Sequence, residues 1–161
     1  MRAVVVAFFV LGASPLIGAQ KGKAWRNASW GMTESQVLAA FPGEAVRLEK
    51  PDKYKKAIAT IGIPTFNVEG VPFKVRFGFA NAKLTMINLS AEHLALAQVR
   101  YDQLKQTLTE KYGHPLTDRE TSIGPEATWK TPVNLISLGL YPLTGLLTVH
   151  YTPAASTEEN L

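Results

Sequence analysis

The chain has 161 residues, 46% of them hydrophobic, with 17 Lys and Arg against 13 Asp and Glu and a net charge of +4. It has no cysteine, which excludes a disulfide framework, a thiol nucleophile and a lipid-modified cysteine. The basic excess carries no nucleic-acid motif and little aromatic interleaving, so it reads as a solvated surface and not as a nucleic-acid site.

Met1, Arg2 and Ala3 lead into an apolar stretch over residues 4–11, and small residues stand at Gly18 and Ala19. These are the parts of a secretory signal peptide, expected over residues 1–19 with Gln20 as the mature start. Gly12, Ser14 and Pro15 interrupt the stretch, leaving it too short for a stable membrane anchor. Residues 20–28 are polar and basic (Lys21, Lys23, Arg26) and are expected as a flexible lead-in. Residues 29–153 then read as a single α+β domain, exported to the periplasm or beyond, and residues 154–161 as a disordered tail.

The first helix follows Trp30-Gly31-Met32. Thr33 and Gln36 form a capping box, Glu34 suits the positive end of the helix dipole, and Pro42-Gly43 stops the helix after Phe41. Lys50, Lys53, Lys55 and Lys56 read as a basic loop. Alternation then predicts a strand in which Ala57, Ala59, Ile61 and Ile63 share one face. The next strand, over residues 71–79, has apolar odd positions and turns Lys74 and Arg76 to the opposite face. Asn81-Ala82-Lys83 turns the chain into a strand over residues 84–89. A longer helix carries Ala97, Tyr101, Leu104, Leu108 and Tyr112 as its stripe and ends at Gly113 before Pro115. Strands are expected again over residues 127–130, 135–141 and 146–151. The order helix–strands–helix–strands predicts two helices on one face of a mainly antiparallel sheet, and it invites an internal duplication.

The segment from Trp30 through Val37 to Phe41-Pro42, and the later Leu104, Leu108 and Lys111-Tyr112-Gly113-His114-Pro115, resemble motifs of small bacterial periplasmic proteins. With the element order, they resemble the β-lactamase-inhibitor-like and outer-membrane-assembly lipoprotein (BamE-like) group of folds. The resemblance implies an exported module that binds another protein of the cell envelope or exterior. Those relatives use a lipidated cysteine or disulfides, and this chain has neither. No functional residue of the group carries over to a numbered position here.

The sequence offers no catalytic motif, no Gly-x-Ser-x-Gly, no phosphate loop and no metal-ligand spacing, so neither cofactor nor metal is expected. His93 reads as a junction residue and His114 as a helix-end residue, while His150 shares a strand face with Leu146 and Thr148. Trp129, Tyr141 and Tyr151 are either core or interface anchors. Lys74, Arg76 and His150 are the candidate binding residues, expected on the sheet face that the helices leave open. The function expected is a non-catalytic protein-binding module. The alternative is a small-ligand carrier or enzyme with a site assembled from separated strands, including the scattered carboxylates Glu69, Glu92, Asp102, Asp118, Glu120 and Glu126.

Overall fold

The computed structural model describes residues 22–154. The expected signal peptide lies outside the described residues, as does the expected tail apart from Ala154, whose amide donates to the Val133 carbonyl. In chain order the elements are β1 (Lys23–Trp25), β2 (Ala28–Ser29), α1 (Glu34–Ala40), β3 (Val46–Lys53), β4 (Ile58–Val68), β5 (Val71–Ala80) and β6 (Lys83–Ala91). There follow α2 (Ala97–Tyr112), β7 (Thr117–Thr121), β8 (Gly124–Lys130), β9 (Asn134–Tyr141) and β10 (Leu146–Pro153). Strands β3 to β10 form one eight-stranded sheet in the order β3-β4-β5-β6-β10-β9-β8-β7, antiparallel at every pairing. This is an α+β fold with two helices and a large antiparallel sheet.

The sequence order needs two corrections. Strands precede the first helix, because β1 and β2 pair as a small hairpin. Residues 22–28, expected as a flexible lead-in, are therefore ordered: Ala24, Trp25 and Ala28 are buried. Trp25 packs edge-on against Phe66 at 5.1 Å between ring centroids and stacks on Phe41 at 5.9 Å. The second basic patch is divided between a strand and a turn. Lys50 and Lys53 belong to the edge strand β3, and Lys55 and Lys56 to the turn after it.

Helix α1 has the capping box expected of it: the Gln36 amide donates to Thr33 Oγ1, and the Thr33 amide donates to Gln36 Oε1. The residues before it anchor the sheet. Trp30 Nε1 donates to Asn134 Oδ1 at 2.8 Å, and Asn134 Nδ2 in turn donates to the Ala24 carbonyl. Gly31 and Met32 exchange backbone hydrogen bonds with Leu84 at the start of β6. The Trp30-Gly31-Met32 motif is thus a fastening between β1, β6 and β9.

Val37 of α1, Phe41 just after it, and Tyr101, Leu104 and Leu108 of α2 lie in one buried cluster with the odd residues of β5. Ile87, Leu89, Ala127, Trp129, Ile136, Leu138, Leu147 and Val149 complete the sheet's contribution to that cluster. Both helices therefore cover the same sheet face. Trp129 is 1% exposed, and its Nε1 donates to the Gly113 carbonyl, so a buried polar group at the end of α2 is satisfied. Gly113 has φ of 86°, a region costly to any residue with a Cβ.

One strand face was misread. Ala59 pairs with Gly78 and Ile61 with Phe77, so Thr60 is an extra residue and the side-chain parity of β4 reverses there. Ile61 and Ile63 face the helices. Ala57 and Ala59 form a separate buried cluster with Met86, against which Leu48 and Tyr54 pack. That smaller cluster lies on the other side of the sheet.

Candidate functional site

The face opposite the helices is laid out by strand register. Arg76 on β5 is aligned with Asn88 on β6, Asn88 with His150 on β10, and His150 with Ser137 on β9. One step along, Lys74 is aligned with Ser90, and Ser90 with Thr148. Register and alternation thus bring Lys74, Arg76 and His150 onto one face, with β6 between the first two and the third. No α-helix covers this face among the described residues.

The three residues sit in different surroundings. Lys74 is exposed, 3.7 Å from the Glu92 carboxylate. Arg76 is half-buried: its Nε donates to Asp52 Oδ2 at 2.6 Å, and its Nη1 donates to the Val75 carbonyl. Gly62 is the cross-strand partner of Arg76, and a Cβ there would stand 2.9 Å from Nη1. The missing side chain lets the guanidinium lie across β4 toward β3. Arg76 is therefore a structural member of the face, tied to its edge strand.

His150 is half-buried, and burial pushes its ring below the usual histidine range. Asn88 Nδ2 stands 3.4 Å from His150 Nδ1, so the ring is tied to β6 through that nitrogen. The Tyr54 ring lies 6.5 Å from the His150 ring. In a flat sheet four strand spacings, about 19 Å, would separate β3 from β10. The sheet must curl, and the β3–β4 hairpin folds over the open face. The cause is visible in the pairing. Residues 48–51 of β3 face only residue 60 of β4, and Thr85 is an extra residue on β6 opposite the step from Gly78 to Phe79. Bulges on both sides of β5 bend the sheet around Gly78.

Tyr54 and His150 divide the concave face into two basins. One, of about 650 Å³, is walled by Tyr54, Ala57, Ala80, Met86, His150 and Pro153, with Thr85 and Thr152 in its walls and Lys55 and Lys56 at its rim. The other, of about 430 Å³, has a mixed polar and apolar lining that includes Asn88, Ser90, Glu92, Thr148 and Tyr141. Beyond Tyr141 and Leu146, a third concavity of about 640 Å³ runs between the β7–β8 and β9–β10 turns. Its lips carry Ile123, at 62% exposed, and Leu143, which is fully exposed.

Of the three aromatic residues read as core or anchor, Trp129 and Tyr151 are buried, while Tyr141 is 38% exposed at the edge of the open face. Sequence reading missed Tyr54, Ile123 and Leu143. Leu143 alone carried a signal, a large apolar residue in the turn sequence Pro142-Leu143-Thr144-Gly145. His93 and His114 lie off this face's basins, and no group of three or more His, Asp or Glu among the described residues is placed to hold a metal ion. No helix among the described residues is long and apolar enough to cross a membrane. Comparison with protein-family models, with curated proteins and with solved structures found no match.

Proposed function

We propose that the mature chain is an exported, non-catalytic protein-binding module that grips a cell-envelope or extracellular partner with its open sheet face. The observation that carries this reading is an eight-stranded sheet whose helices, among the described residues, lie over one face only. The other face offers polar side chains along Lys74, Ser90 and His150 and ends in exposed Tyr141, Leu143 and Ile123. Clustered exposed apolar residues beside a polar field match the anatomy of protein interfaces. Export rests on the signal-like residues 1–19, and the protein-binding role is also what the BamE-like and inhibitor-like resemblance implies.

The duplication reading belongs to the same proposal. Each half would be one helix followed by four strands, and the sheet order, with β6 beside β10 at its centre and β3 and β7 at its edges, supports it. A duplicated sheet would build one wide concave surface from two small ones, suited to a macromolecular partner.

The test is capture from the native exported fraction by the wild type and by a Tyr141→Ala/Leu143→Asp/Ile123→Asp variant. A partner held by the wild type in near-stoichiometric amount should be lost by the variant, with its melting temperature kept. Equal capture by both proteins would overturn the reading.

A further inference from the structure

The larger basin is built unlike the rest of the open face. Its floor and walls are apolar around Ala57, Ala80, Met86 and Pro153, and its volume of about 650 Å³ is that of a small-molecule cleft. Among the described residues the charges in its lining are both cationic: Lys55 and Lys56 are exposed in the turn after β3, and no described carboxylate lines the basin. Asp52, the nearest acid in sequence, is engaged by Arg76. Neither lysine makes an ion pair among the described residues.

Thr85 and His150 complete the lining. Thr85 is half-buried, and its Oγ1, which has no hydrogen-bond partner among the described residues, is turned inward, away from the open basin. His150 has Nδ1 beside Asn88, 3.4 Å away, and its ring forms part of the basin wall. Thr85 owes its place to the β6 bulge, which sets it beside Met86 in the basin wall.

We propose that this basin is a small-molecule site for an apolar-bodied carboxylate of fatty-acid size. The aliphatic body lies against Met86, Ala57, Ala80 and Pro153. The carboxylate is held at the rim by Lys55 and Lys56. The site does not depend on the protein-binding reading, since its ligand needs neither Tyr141 nor Leu143.

Isothermal titration of the mature protein with decanoate, and with 1-decanol as the uncharged comparison, tests the site. Decanoate should bind saturably at one site and decanol at least about tenfold more weakly. Lys55→Glu/Lys56→Glu, a change in an exposed turn, should weaken decanoate by about tenfold and leave decanol unchanged. Thr152→Trp, which fills the basin, should abolish both. Absence of saturable decanoate binding, equal affinity for the two probes, or indifference to the lysine reversal would each overturn the proposal. Co-sedimentation with phosphatidylcholine vesicles carrying oleate separates the sources. The protein should stay in the supernatant, and pelleting would assign the chemistry to a membrane surface and overturn a soluble-ligand site.

Discussion

At the scale of single residues, the side chains of the open face do different jobs. Arg76 is engaged with Asp52 over Gly62, so its charge is already answered within the protein. Replacing it by an acid would set a carboxylate against Asp52, and a loss of binding would then report a loss of structure. Lys74, by contrast, is exposed and holds Glu92 only at 3.7 Å, a geometry worth little to stability. His150 carries a pH signature of its own. Burial lowers its folded-state pKa below the unfolded value near 6.5, so in the window between them the unfolded chain binds more protons. Stability attached to His150 is thus complete above about pH 6.5 and declines as pH falls through the window. Urea unfolding at pH 5 and pH 7.5 should show a larger loss on acidification for wild type than for His150→Gln. Equal losses would mean that the ring is not desolvated.

At the scale of elements, the bulged strands around Gly78 shape the concave face. The Gly78 Cα lies directly under the Met86 side chain, and a Cβ there would collide with Met86 Cε. Because the atom in the way is the flexible end of Met86, Gly78→Ala should destabilise by no more than about 1 kcal/mol, at the low end of overpacking. Combined with Met86→Ala, it should cost less than the sum of the two single changes, because the collision is gone. Additive losses in denaturant melts would show that Met86 does not rest on this glycine. The sequence disclosed the regular elements well: the Thr33–Gln36 cap, the stripe of α2 and the alternation of β5 are local signals, each read within a few residues. It concealed what depends on non-local pairing. The edge strands β3 (VRLEKPDK) and β7 (TDRET) show almost no apolar alternation, since one side of each has no strand partner and charge there deters edge-to-edge association. The bulge at Thr60 inserts one residue, so a face that reads as continuous from Ala57 to Ile63 splits between two clusters. The hairpin β1–β2 is too short for periodicity, and the burial of Trp25 depends on Phe41 and Phe66, far along the chain.

At the scale of the whole molecule, two helices on one side leave a curled eight-stranded surface on the other. Strand parity was enough to put Lys74, Arg76 and His150 on that surface from sequence. The apolar lips at Ile123 and Leu143 were not legible, because they come from two turns brought together only when β8 and β9 pair. The account's central claim is that the partner sits on this surface and not on the helices. A photoreactive benzophenone residue placed at Leu143, and in a second protein at the exposed Gln106 of α2, tests it in the native exported fraction. The account predicts one discrete cross-linked partner from position 143 and none from position 106. The same adduct from position 106, with none from position 143, would place the interface on the helical side and contradict it.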